Sequence, residues 1–279
     1  MNTIGNKIHS LRLSKGLTQA RLAEAMNVSP QTVSKWEKDL SAPDLSLLPA
    51  IARYFGITMD ELFGYRLDAL NRKERFIRLL ADNGALQFGR FSLRCGRISP
   101  YFISTEHFHS ASQLTKLGES YAECMRDENV ETSLLMANTQ RELPLMLAAN
   151  AALYRRYGQD TCYGATASIG KTPVPEDRIT LIKDTLTTGQ SLAQHLTELT
   201  DGGTKVTDII VSVDRMEGSG ISGLTARREL EIAYGVRIHA IVTLEDIIRA
   251  MKDGVIGGRE HLEALVQYRA RYGGNNHGD

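Results

Sequence analysis

Two textures of apolar positions divide the chain. In residues 1–65 apolar side chains recur at helical spacing in short segments. Ile4, Ile8 and Leu11 share one helical face, Gly16 marks a stop, and Thr18 is placed to cap a helix over Gln19–Met26. Ser29 is a natural cap for a third helix, with Pro30 at its first position. That helix turns Val33 and Trp36 inward and leaves Gln31, Thr32, Ser34 and Lys35 facing out. Two more helices follow Pro43, around Leu47–Tyr54 and Met59–Phe63. From residue 84 onward the short runs Ser133–Met136, Ile179–Ile182, Ile209–Val213 and Ile238–Val242 are apolar and often β-branched. Between them lie Glu142–Arg156, Gln190–Leu199 and Leu224–Tyr234, apolar at helical spacing. Alternating strands and helices predict a mostly parallel sheet covered by helices. The expected fold is an all-α five-helix domain over 1–65, then a linker and first helix over 66–83. An α/β domain follows over 84–272, and a loose tail over 273–279.

Composition narrows the possibilities. A length of 279 residues fits two unequal domains, and 42% apolar with 24% charged residues rules out wholesale disorder. No apolar run approaches the ~20 residues that span a bilayer, and the first residues lack the apolar core of an export signal. The expectation is a cytoplasmic protein with no membrane partner. Cys95, Cys124 and Cys162 are too few and too scattered for a disulfide framework or a zinc site. Lys and Arg number 33 against 33 Asp and Glu, so the net charge is zero. That balance argues against coating nucleic acid along the whole chain, but leaves room for a local DNA-reading module.

A helix, a tight turn and a second helix with outward amides and hydroxyls fit a helix-turn-helix, whose second helix enters the major groove. The run Leu17-Thr18-Gln19-x-x-Leu22-Ala23, then Val28-Ser29-x-x-Thr32-Val33-Ser34-Lys35-Trp36-Glu37, then Pro43 and Ile51-Ala52-Arg53-Tyr54-Phe55, resembles the phage-repressor (Cro/cI, Xre) class. The resemblance implies a phosphate contact for Gln19 and base reading by Gln31, Thr32 and Lys35, with Ser29 and Ser34 on the same surface. It also implies an Arg12–Glu37 ion pair tying the first helix to the third. The other reading of these residues is a helical bundle for protein contacts. Because the module is only mildly basic, one copy should bind weakly, and a homodimer on palindromic half-sites of double-stranded DNA is expected.

The stretch Gly84 to Phe102, with Val213-Asp214-Arg215-x-Glu217-Gly218 and Ile241-Val242-Thr243-Leu244-Glu245-Asp246-Ile247-Ile248, resembles orotate phosphoribosyltransferase over roughly residues 70–270. This implies a type I phosphoribosyltransferase fold with a hood built partly from the segment's start. The residues themselves offer a phosphate site. The strand at Ile179–Ile182 runs into Lys183-Asp184-Thr185-Leu186-Thr187-Thr188-Gly189-Gln190-Ser191 ahead of a helix. Such a loop presents backbone N–H groups and a positive dipole end to an anion. Asp184 is placed to accept two ribose hydroxyls. An ordinary Thr-capped turn is the alternative. The resemblance puts Arg215 at the orotate carboxylate, Phe102 beside the pyrimidine ring and Arg94 at a ligand-contacting lysine position. A surface cation paired with Asp214 or Glu217 is the other reading of Arg215.

Departures from that family shape the functional expectation. The family carries two adjacent acids at the ribose site; here the first is Lys183. The family's mobile loop carries several cations; the stretch Tyr163 to Asp177 keeps one, Lys171. The pyrophosphate-loop stretch, Met136 to Glu142, is also altered. Losing cations that stabilise a departing pyrophosphate predicts a domain that has lost turnover, with no catalytic residues. An ammonium at 183 is expected to repel a divalent metal and attract phosphate. The expected ligand is then a small anionic, nucleotide-like effector bound without metal or cofactor. His107 and His109, lacking a second cluster, are not expected to hold a metal. The resulting expectation is a DNA-binding transcriptional regulator, acting as a repressor, whose inactive phosphoribosyltransferase-like domain senses a pyrimidine-pathway metabolite. The alternative is an active orotate phosphoribosyltransferase with an added DNA-binding domain.

Overall fold

Hydroxyl caps open the first three helices. Thr3, Thr18 and Ser29 side chains accept from the N–H groups of Asn6, Arg21 and Thr32 at the starts of α1 (Ile4–Ser14), α2 (Gln19–Ala25) and α3 (Pro30–Glu37). The next helix, α4 (Leu48–Phe55), stops on Gly56 at φ 72°, where a side chain would be strained. A short α5 (Met59–Leu62) completes the set. Ile8, Leu22, Val33, Trp36, Ile51 and Leu62 meet in one core. At Gly5 a Cβ would stand 2.0 Å from the Trp36 carbonyl oxygen, so α1 and α3 approach backbone to backbone. The computed structural model describes residues 3–57, 59–63, 70–93, 96–165, 169–218 and 223–274. These helices lie in the first of its two units, Met1–Asn71; the second is Arg72–Asp279.

The second unit begins with α6 (Arg72–Asp82) and a hairpin of β1 (Leu86–Ser92) and β2 (Ile98–Ile103). Phe76, Ile77 and Leu80 seat α6 in the main core. Next come α7 (Ala111–Asp127), β3 (Leu134–Ala137), α8 (Leu143–Tyr157), β4 (Cys162–Ala165), β5 (Ile169–Gly170) and β6 (Ile179–Leu186). The chain continues through α9 (Gln190–Asp201), β7 (Val206–Asp214), α10 (Ala226–Tyr234), β8 (Arg237–Thr243), α11 (Leu244–Lys252) and α12 (Leu262–Tyr272). Lys73 Nζ of α6 donates to Asp246 Oδ2 of α11 at 2.9 Å, and Arg72 pairs with Asp127 at 3.2 Å.

Six strands form one sheet in the order β5-β4-β3-β6-β7-β8, parallel except for the edge strand β5. Alternation along β3 sorts side chains into two cores. Leu135 and Ala137 join the core containing α6, α7 and α8, while Leu134 and Met136 join the one beneath α9 and α10. At Gly118 a Cβ would lie 2.4 Å from the backbone of Ala148, so α7 and α8 are also in close contact. The order reverses between β3 and β6, because β4 follows β3 on one side and β7 follows β6 on the other. Ligands of open α/β sheets bind outside the carboxyl ends of strands at such a reversal. Among the described residues no helix is long and apolar enough to cross a membrane.

Candidate functional site

On α3 of the first unit, Gln31 and Lys35 are exposed and Thr32 and Ser34 are half-buried. The Ser29 hydroxyl accepts from Thr32 N at 3.1 Å and lies 2.9 Å from Thr32 Oγ1, so these two hydroxyls fix the start of the helix. Glu37 anchors its end. Its carboxylate accepts from Arg12 Nε at 2.6 Å, Arg12 Nη2 at 3.0 Å and Gln19 Nε2 at 2.8 Å, with His9 Nδ1 at 2.9 Å. Burial pushes the Glu37 carboxyl up, but hydrogen bonds from Arg12, His9 and Gln19 overcome it and hold the pKa at about 2. One buried carboxylate thus orients α1, the start of α2 and α3 together. His9 is a partner not expected from the sequence pattern above; its spacing of three from Arg12 on one helix is the signal that points to it.

In the second unit the structure gathers residues at the carboxyl ends of β3 and β6. Lys183 and Asp184 lie near the carboxyl end of β6, followed by Thr187, Thr188 and Gly189. Gly189 sits at φ 75° and no side chain caps α9, leaving the helix start at Gln190 and Ser191 open to an anion. From the β3 side a turn at Gln140–Glu142 brings Glu142 Oε1 to 3.3 Å from Lys183 Nζ. Asp184 Oδ2 accepts from Thr105 N and Oδ1 from Ser212 Oγ, both at 3.0 Å. Burial raises the Asp184 pKa against those bonds. Beneath lies His195 of α9, its Nδ1 3.3 Å from Asn138 Oδ1; His195 Nε2 and Asn138 Nδ2 are buried without partners among the described residues. Burial lowers the His195 pKa. Glu142, Asn138 and His195 were not singled out from sequence. The signal for Glu142 was an acid in one loop matched by a lysine in the other.

Arg215 and Phe102 are not brought together. Arg215 is buried, donating from Nε to Glu217 Oε1 at 2.6 Å and from Nη2 to Ser99 Oγ at 2.8 Å, with its guanidinium 4.0 Å from the Tyr101 ring centre. Of the two acids named as partners it takes Glu217; Asp214 Oδ1 accepts from Met216 N instead. Ser99 and Tyr101 lie on the buried face of β2, whereas Phe102 projects from the other face and stacks on Phe91 at 5.5 Å. Arg94 lies outside the described residues. Lys171, the remaining loop cation, is bound to Asp177 at the opposite, amino-terminal edge of the sheet. That pairing holds the Asp177 carboxyl below its usual range.

Residues 8–62 match the helix-turn-helix family model. The first unit is a helix-turn-helix DNA-binding domain. Over 211 residues the chain is 31% identical to the orotate phosphoribosyltransferase of Yersinia pestis (strain Pestoides F), covering 72% of this chain and 97% of that enzyme. The chain belongs to the orotate phosphoribosyltransferase family. The solved orotate phosphoribosyltransferase of Francisella tularensis matches with a TM-score of 0.62 at 26% identity, over 71% of this chain and 99% of that one. Leishmania donovani UMP synthase shares the fold, with a TM-score of 0.58 at 20% identity over 80% of this chain and 46% of that one.

Family membership corrects the expectation of a domain without catalysis. A match across nearly the whole length of those enzymes points to an enzyme. Fewer cations in two loops do not by themselves abolish transfer. Transition-state stabilisation draws on the whole preorganised crevice, including backbone donors that no side-chain count registers.

Proposed function

We propose that this chain is an orotate phosphoribosyltransferase-type protein that binds DNA, and that ligand occupancy in its second unit governs binding by its first. The observation that carries the reading is the crevice between β3 and β6. There the open start of α9, Lys183 and Asp184 converge at the strand-order reversal of a family member. Thr187 to Ser191 hold a ribose phosphate through backbone N–H groups and hydroxyls, and the transferred group sits above Asp184. On the DNA side, Gln31 and Lys35 reach base edges and phosphate, with Gln19 steadied by Glu37. The chain acts as a homodimer on paired half-sites and represses transcription, its pocket reporting a pyrimidine-pathway nucleotide.

Two measurements test this. Purified protein given orotate and phosphoribosyl pyrophosphate is expected to form orotidylate; absence of product removes the transferase part. A gel shift on DNA from upstream of its own coding sequence, titrated with orotate, UMP and phosphoribosyl pyrophosphate, is expected to show a ligand-dependent change. A shift unmoved by all three removes the coupling.

A further inference from the structure

The crevice holds two carboxylates, Glu142 and Asp184, and one ammonium, Lys183. Glu142 alone reaches the ammonium, because Lys183 and Asp184 are consecutive in β6 and project from its opposite faces. Asp184 Oδ1 and Oδ2 accept from Ser212 Oγ and Thr105 N. Glu142 Oε2 accepts from Thr139 Oγ1, and Glu142 Oε1 from Lys183 Nζ at 3.3 Å. A magnesium ion demands oxygen lone pairs at about 2.0–2.1 Å in near-octahedral array. Here each of the four oxygens already accepts a protein hydrogen bond, the Ser212 hydroxyl sharing its one proton between Asp184 Oδ1 and the Asp184 carbonyl oxygen. Among the described residues no group of three or more His, Cys, Asp or Glu side chains could hold a metal ion. The Glu142 and Lys183 side chains are only 8% and 12% exposed, so solvent screens the pair poorly. An ammonium carries three donors, and Glu142 is the one acceptor its Nζ has among the described residues.

We propose that the Lys183 ammonium, held in place by Glu142, meets the diphosphate where a divalent cation would otherwise stand, so that the crevice binds a phosphoribosyl diphosphate as the free polyanion. Lys183 Nζ donates directly to the diphosphate, while the start of α9 takes the ribose phosphate. Glu142 positions the ammonium and sets its direction. The inference rests on the reading of this crevice as a phosphoribosyl site and adds the ionic form of ligand that it accepts.

Calorimetry on the full chain tests it with two probes, ribose 5-phosphate and phosphoribosyl pyrophosphate, each in EDTA and in magnesium. The expected result for the diphosphate is an affinity that changes less than about threefold between the two buffers. K183M should weaken the diphosphate about tenfold or more in EDTA, the loss of one charge-assisted hydrogen bond, while ribose 5-phosphate stays within about threefold. E142Q/K183M removes both charges, leaves no unpaired buried glutamate, and should reproduce the K183M result with an unchanged circular dichroism spectrum. K183D should make diphosphate binding depend on magnesium. Diphosphate binding that requires magnesium in the unmodified protein, with ribose 5-phosphate bound in both buffers, overturns the inference and leaves the phosphoribosyl reading standing. Failure of both probes in both buffers overturns the two together.

Discussion

Arg12 and Glu37 form a two-bond clamp, at 2.6 and 3.0 Å, that joins the last turn of α1 to the end of α3. Both side chains are shielded, at 9% and 3% exposure, so neither charge has water to fall back on. Removing one partner of such a pair costs about 3–5 kcal/mol because the other is left buried and uncompensated. E37Q should therefore lower the stability of the first unit by that amount. Trp36, the chain's single tryptophan, is buried in that unit's core and reports its unfolding by fluorescence.

The same carboxylate sets a pH dependence. Its folded pKa of about 2 lies below the ordinary 4.5, so the unfolded state takes up the proton more readily. The stabilisation is complete above pH 4.5 and is lost as pH falls from there toward 2. Urea midpoints followed through Trp36 should drop across that window, and the drop should be absent in E37Q.

On the DNA face, Q31A should cost about 1–3 kcal/mol at the base pair it reads and relax specificity there. K35A should weaken binding evenly across sequences and reduce the salt slope by about one. Gel shifts over an operator library at several salt concentrations separate the two. Equal, sequence-independent losses for both variants would contradict the assignment of Gln31.

Gly189 gives a test of the anion loop. An alanine there would hold φ 75° at a cost of about 1–2 kcal/mol, with its Cβ 3.0 Å from Leu230 Cδ1. G189A should weaken ribose 5-phosphate severalfold in calorimetry, with circular dichroism showing retained secondary structure. Unaltered affinity would place the phosphate elsewhere.

Glu217 is fully buried between Arg97, at 2.7 Å, and Arg215, at 2.6 Å, and also accepts from the Tyr268 hydroxyl. E217Q leaves two cations with one neutral partner, and thermal unfolding should show a loss of about 3–5 kcal/mol in the second unit. Restored stability in E217Q/R97M would identify charge imbalance as the cause.

The helices of the first unit were legible because each signal is local: a hydroxyl cap, a proline at the first position, a glycine stop. The strands β3, β6, β7 and β8 were legible because burial on both faces makes them apolar throughout. The helix α7 lies outside the predicted helices although Leu117, Tyr121 and Met125 recur at intervals of four on its buried face, so the signal for it is present in the sequence. The phosphate loop could be read as one continuous stretch. The Glu142–Lys183 pair spans 41 residues and exists only because β3 and β6 lie side by side. Phe102 and Arg215 illustrate the reverse: a resemblance supplied both residues, but the two faces of β2 separate them.

The way α6 is mounted has a mechanical consequence. Three apolar side chains seat it in the core, Lys73 clips it to α11, and Arg72 ties its first turn to the end of α7. A rod held at that many points cannot absorb a disturbance by fraying. Melting α6 therefore means breaking both ion pairs and uncovering Phe76, Ile77 and Leu80 in the same event.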